Sequence, residues 1–208
     1  MPNKLHQEVL NNQQKKLLPL VRQFRNRFYL AGGTAIALQL GHRRSIDFDL
    51  FSDQKIDQRK IRSLIIKNHH IDKVIIDNKE EYTLIVDGVK LTFLHYPFKI
   101  KSSRQSADCF RLPDLATLAA MKAYALGRRA KWKDYVDLYW IMEKRAGILE
   151  IIKKAKSIFS AEFNEKNFRQ QLAYFKDIDR TEEVDWLLGF RISDKKIKES
   201  LTEFSLTE

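Results

Sequence analysis

Cysteine is nearly absent from this 208-residue chain: Cys109 stands alone, which excludes an intrachain disulfide and a cysteine-ligated zinc site. Glycine and proline are scarce too, at 7 and 4 residues, so there is little material for long flexible linkers. No apolar run reaches the roughly 18 residues that a membrane-spanning helix needs. The opening MPNKLHQEVLNNQQKK is polar and lacks the apolar stretch of a secretory signal, so a cytoplasmic protein with no membrane partner is expected. His42, His69, His70 and His95 show no H-x-x-x-H spacing, which argues against a zinc site. The chain has no Walker A, G-x-S-x-G or G-x-G-x-x-G element, which argues against P-loop, α/β-hydrolase and dinucleotide-binding chemistry.

What is present is a folded composition, 44% hydrophobic and 31% charged, with a formal net charge of +11. Such a surplus suits a polyanionic partner, nucleic acid or nucleotide, though surface lysines that only confer solubility would give the same count. The length allows one large domain or two small ones.

Residues 5–26 have a helical pattern, and Phe28 to Ala31 reads as a short buried strand. Gly32-Gly33 breaks that strand, Thr34 can cap a helix running through Leu40, and Gly41 sits where a left-handed cap would end it. From Ser45 to Ser52 the pattern alternates, with Ile46, Phe48 and Leu50 on one face and Asp47 and Asp49 on the other. A helix over 57–68 and strands at 73–76, 82–86 and 89–96 follow, the last two joined by the hairpin signal Asp87-Gly88. Beyond Pro97 the pattern turns helical: 114–126 (punctuated by Gly127), 132–144, 147–159, 163–176 and 181–190. A division near residue 105 therefore separates a mixed α/β part, 1–105, from a helical part, 106–208.

Asp47 and Asp49 stand two residues apart on one strand face, about 7 Å along it at roughly 3.3 Å per residue. Their carboxylates can converge on a hard cation such as Mg²⁺, which takes oxygen ligands and relieves their mutual repulsion. Upstream, Gly32-Gly33-Thr34 places bare backbone at a helix N-terminus, where N–H groups and the helix dipole favour a phosphate. Either half alone is weak; strand, Gly-Gly-Thr, helix, loop and D-x-D strand in this order is stronger.

The stretch LAGGTAIALQLGHRRSIDFDLFS resembles the signature of the AbiEii/AbiGii-type nucleotidyltransferases, of the DNA polymerase β-like superfamily. The resemblance implies an α+β fold: a nucleotidyltransferase-like mixed sheet with flanking helices, then a helical C-terminal domain that completes the active-site cleft. It also implies Mg²⁺ or Mn²⁺ on Asp47 and Asp49, an NTP held by Gly32, Gly33 and Thr34, and a toxin role with a cognate antitoxin. Some members transfer nucleotides onto RNA, tRNA ends included. Arg43 and Arg44, entering the D-x-D strand, are further candidates for phosphate or RNA, or are solvated loop charges.

In the helical part, Lys122 lies in the buried stripe marked by Leu115, Leu118, Ala119 and Leu126, where an ammonium needs an anion or a route to water. Asp134 and Asp137, three apart in KDYVDLYW, share a helix face and could instead pair with Lys133, Arg128 or Arg129. The resemblance carries Lys122 over as a phosphate-contacting lysine. It carries Asp134 or Asp137 over as a further active-site carboxylate or general base, with Asp137 slightly favoured. Lys131-Trp132-Lys133 interleaves basic charge with an aromatic that could stack on a base or lie in the core.

One departure concerns the strand 89–96. Superfamily members often carry a third metal-binding acid there, whereas KLTFLHY offers Thr92 and His95. The expected enzyme moves an NMP from an NTP to an acceptor hydroxyl. The alternative is a degenerate member that binds nucleotide or RNA without turnover.

Overall fold

The computed structural model describes residues 5–105, 110–126 and 128–208, so Cys109 and Gly127 lie outside the described residues. The chain begins with a short 3-10 turn, Gln7–Val9, followed by α1, Asn12–Gln23. A single helix over 5–26 is therefore not what forms. Leu10 is extended, and Asn11 starts α1 with a capping box in which its side chain and that of Gln14 each accept from the other's backbone N–H.

Five strands form the main sheet: β1 (Tyr29–Ala31), β2 (Asp47–Ser52), β3 (Ile71–Asp77), β4 (Glu81–Val86) and β5 (Val89–His95). Their spatial order is β1-β2-β5-β4-β3. β2 and β5 are parallel and all other neighbours antiparallel, which makes the sheet mixed as expected. Asp87 and Gly88 join β4 to β5 with φ of 47° and 76°, the doubly left-handed turn that their sequence signals. Phe48 pairs with Leu91, and Leu91 with Leu84, so β2, β5 and β4 present a continuous buried row. Phe93 packs edge-on against Phe24 and Phe28 with ring centroids 4.8 and 5.3 Å away, anchoring the end of α1 on the sheet. Ile46, read as part of the inward face, is 63% exposed because β2 begins only at Asp47.

Helix α2 (Gly32–Leu40) follows β1 directly and ends on Gly41 in the left-handed conformation, φ 69°. Its N-cap is Ala31, so Thr34 is not the cap; its side chain turns sideways toward β2. Helix α3 (Gln58–Ile65) is shorter than the 57–68 pattern and is capped by Asp57. A small two-stranded sheet, β6 (Ser103–Gln105) with β7 (Phe110–Leu112), lies on either side of the division expected near 105 and was not legible in the pattern.

The remaining helices are α4 (Leu115–Leu126), α5 (Trp132–Lys144), α6 (Ile148–Phe159), α7 (Glu165–Leu172) and α8 (Asp194–Ser205). The helix expected over 163–176 contracts to α7 between its cap Asn164 and Ala173. The helix expected over 181–190 does not form: that segment is irregular and carries a bridge from Trp186 to Arg43 and a turn at Gly189, φ 84°. A helix instead starts at Asp194, where Ser193 caps it. Helix α2 is buried nearly all round because β1 and β2 cover one side and α4 and α5 the other. One hydrophobic cluster consequently runs through both parts of the chain.

Candidate active site

The turn from β1 into α2 fixes the site's first wall. Ala31 pairs with Asp49 across the sheet, and Gly32 follows at φ +66°. A Cβ at Gly32 would overlap Asp49 Oδ2, so glycine is needed there for both conformation and space. A Cβ at Gly33 would overlap the Arg43 guanidinium on the other side. Thr34 is 1% exposed; its hydroxyl donates to the Asp47 carbonyl at 2.5 Å and lies 2.8 Å from Ser45 Oγ. Thr34 thus ties α2 to the start of the D-x-D strand, and its hydroxyl is spent on that tie.

Asp47 and Asp49 project to the same side of β2, partly exposed between buried Phe48 and Leu50. Burial, reinforced by the charge of Asp47, pushes the Asp49 carboxyl up to about 6. The parallel register sets Lys90 beside Asp47 and Thr92 beside Asp49. Lys90 Nζ lies 2.8 Å from Asp47 Oδ2. Burial pulls the Lys90 ammonium down, but the bond to Asp47 and the charges of Asp47 and Asp49 hold it above its ordinary pKa. The position where a third acid is common therefore presents a hydroxyl, next to a cation. Among the described residues no group of three or more His, Cys, Asp or Glu side chains could hold a metal. His95 pairs with Glu80 and takes no part. Two carboxylates still fit one hard ion whose other ligands come from water and substrate phosphate, the usual manner for Mg²⁺.

The second wall comes from α4 and α5. Lys122 is 7% exposed; its ammonium bonds Asp134 Oδ1 and lies 3.0 Å from Asp137 Oδ2. Asp137 is fully buried and saturated: Arg43 grips it through Nε to Oδ1 at 2.8 Å and Nη2 to Oδ2 at 2.9 Å, and His42 Nε2 reaches Oδ1 at 2.8 Å. Burial opposes ionisation, yet Arg43 and Lys122 together hold Asp137 well below the usual carboxylate range. Asp134 and Asp137 similarly keep the Lys122 ammonium above its ordinary pKa against the pull of burial. Burial lowers the His42 imidazole, with its bond to Asp137 opposing, so this ring is neutral and donates from Nε2. The general-base role expected for one of the pair finds no free oxygen on Asp137. On Asp134, Arg129 Nε stands 3.5 Å from Oδ2.

Arg43 is 2% exposed and wholly engaged, with Nη1 on the Arg44 carbonyl at 2.9 Å, so it links Gly33 to Asp137. Arg44 points elsewhere, near Asp185 at 3.4 Å and the Glu8 carbonyl at 3.3 Å. Trp132 lies in the core, 5% exposed, with Arg180 4.2 Å over its ring, and does not stack on solvent-borne bases.

Between the walls is a cavity of about 270 Å³, lined among others by Gly32, Phe51, Tyr96, Lys122, Tyr124 and Arg128. Its lining is mostly apolar with cations at the rim. Arg128 lies 3.7 Å over the Tyr124 ring, which stacks on Phe159 at 4.1 Å. The cavity thus brings the glycine turn and Lys122 together from distant parts of the chain.

Residues 20–107, which hold both the glycine turn and the D-x-D strand, match the family described as Nucleotidyl transferase AbiEii toxin, Type IV TA system. The chain belongs to the AbiEii nucleotidyltransferase toxin family. Lys122, Asp134 and Asp137 lie beyond the matched range. The Aquifex aeolicus (strain VF5) protein aq_aa25 is 30% identical over 157 residues, 73% of this chain and 75% of that one. Among solved structures, MenT4, the nucleotidyltransferase toxin Rv2826c of Mycobacterium tuberculosis H37Rv, superposes with a TM-score of 0.67 at 15% identity, covering 93% of this chain and 80% of that chain. JHP933 from Helicobacter pylori superposes with a TM-score of 0.56 at 17% identity, over 93% and 89%. These likenesses show that the nucleotidyltransferase toxin fold extends through the helical part. Lys90, His42 and the Tyr96–Tyr124–Arg128 lining are the site residues that sequence reasoning passed over. None of them carried a local signal, since each meets the site through a contact distant along the chain.

Proposed function

We propose that this AbiEii-family protein transfers a nucleoside monophosphate from an NTP to an acceptor hydroxyl, on RNA or tRNA, using Mg²⁺ or Mn²⁺. The observation that carries this reading is the shared cavity onto which Gly32, beneath Asp49, and Lys122 both open. Asp47 and Asp49 would hold the ion, which when bound polarises the α-phosphate and orients the attacking oxygen. The first amides of α2 face the triphosphate with the positive end of the helix dipole. Lys122 neutralises charge that develops as pyrophosphate leaves, and Asp134 and Asp137 hold its ammonium in place and charged. Arg43 serves the phosphates indirectly, by locking Asp137. Catalysis then rests on prepositioned charge, as is usual for phosphoryl-type transfer.

A cytoplasmic toxin restrained by a cognate antitoxin fits this chemistry, since NTPs and RNA are cytoplasmic. Among the described residues no helix is long and apolar enough to cross a membrane. The ion pair between Lys90 and Asp47 favours a second reading, a member that binds nucleotide without turnover. Incubating wild type and Asp49→Ala with Mg²⁺, each labelled NTP and total RNA separates the two. Label transfer by wild type alone supports the enzyme; nucleotide binding with no transfer under any NTP supports the second reading.

A further inference from the structure

The segment 179–187, which overlaps the helix expected over 181–190, is a strap stitched down at both ends. At one end the Trp132 N–H donates to the Asp179 carbonyl at 2.9 Å and the Asp179 N–H to the Ala130 carbonyl at 2.8 Å. At the other, the Arg44 N–H donates to the Asp185 carbonyl at 2.8 Å and the Leu187 N–H to the His42 carbonyl at 3.2 Å. Asp179 Oδ1 accepts from both the N–H and the hydroxyl of Thr181, which turns the chain and sets Glu182 over the start of α5. There one carboxylate meets two ammonium groups: Oε1 lies 2.8 Å from Lys131 Nζ and Oε2 lies 3.1 Å from Lys133 Nζ.

We propose that Lys131 and Lys133 form a phosphate subsite for the acceptor strand, which Glu182 fills as an internal anion until that strand arrives. A carboxylate and a phosphodiester present the same face to such a pair, two oxygens a short distance apart, so the carboxylate marks a cradle of the right shape. The charge is right as well. Two cations answer one carboxylate, at the positive end of α5, in a chain of net charge +11. The location is that of an acceptor. Lys133 is followed directly by Asp134, which holds Lys122 at the wall of the candidate site. The side chain of Glu182 is 47% exposed, so it can swing into water while the strap backbone stays bonded.

This inference rests on nucleotidyl transfer to a nucleic acid, and it is tested by binding rather than by turnover. Anisotropy of a labelled single-stranded oligoribonucleotide is measured with the full chain, as wild type, Glu182→Gln and Lys131→Ala/Lys133→Ala, across a salt series. NTP affinity is measured for each in parallel. Glu182→Gln is expected to tighten RNA binding severalfold. The double lysine variant is expected to weaken it about tenfold and flatten the salt dependence, by about 0.7 in log–log slope for each phosphate it no longer neutralises. NTP affinity stays unchanged in all three. Equal RNA affinity in wild type and Glu182→Gln, or no RNA binding by either, overturns the subsite. Glu182→Gln keeps the number of non-hydrogen atoms and keeps the test open if the double variant folds poorly. Loss of label transfer with the affinity order intact would overturn the transfer reading alone.

Discussion

Asp137 receives Arg43, His42 and Lys122 on two oxygens in a place with no water access. Removing its charge leaves buried Arg43 without its ion-pair partner and Lys122 with Asp134 alone, which is costlier than the pair itself is stabilising. Asp137→Asn is expected to lower unfolding stability at pH 7 by about 3 kcal/mol or more, measured by urea denaturation. The pH dependence has a definite sign. A carboxyl depressed on folding contributes stability that is present above its unfolded pKa, near 4, and is lost as pH falls through its folded value. The stability gap between wild type and Asp137→Asn should therefore shrink on acidification below about pH 4; a gap constant down to pH 2 would contradict the ion-pair account. Lys90 works oppositely on its neighbour, since its ammonium competes with any divalent ion for Asp47 Oδ2. Lys90→Met is expected to bind Mn²⁺ severalfold more tightly in the absence of nucleotide. Unchanged or weaker Mn²⁺ affinity by calorimetry would show that Lys90 does not shape the ion site.

Among the elements, the β1–α2 turn has the least freedom. Gly32→Ala combines a left-handed backbone with overlap on Asp49, a cost on the order of 2 kcal/mol. It should fold cooperatively with a lowered melting temperature and lose transfer by displacing Asp49. Wild-type turnover in this variant would remove Asp49 from the chemistry. This turn was readable in advance because its parts are close in sequence and each leaves a local trace: a glycine pair, then period-2 alternation. The stripe of α4 exposed Lys122 in the same way, and the three-residue spacing placed Asp134 with Asp137. Lys90 left no such trace, because its partner is chosen by the parallel register of β2 on β5, a long-range pairing that no local pattern encodes. Arg43 looked like a loop cation because its partner lies far downstream in α5. The strap misled for another reason: VDWLLGF has helix-like hydrophobicity, yet apart from one turn from Phe190 to Leu187 its backbone bonds go to Arg44 and His42.

At the scale of the whole molecule, the sheet part and the helical part share one hydrophobic cluster, and α2 is covered by both. Cutting at 105 would strip α4 and α5 from α2 and leave Arg43 without Asp137. Residues 1–105 expressed alone are expected to bind hydrophobic dye and to show poorly dispersed amide resonances, whereas a dispersed spectrum with a sharp melt would mark an autonomous domain. The fold class was legible as a plan. The interdependence of its two sides was not, because it lives in buried pairs between residues that are far apart along the chain.

Arg43 and Asp137 are 94 residues apart. At roughly 5–20 residues per second of synthesis, the ribosome makes the glycine turn and the aspartate pair several seconds before α5 exists to brace them. That interval has a consequence: until α5 has been made, Arg43 has no Asp137 to grip and Lys122 no Asp134, so the two walls of the site can come together only in the completed protein.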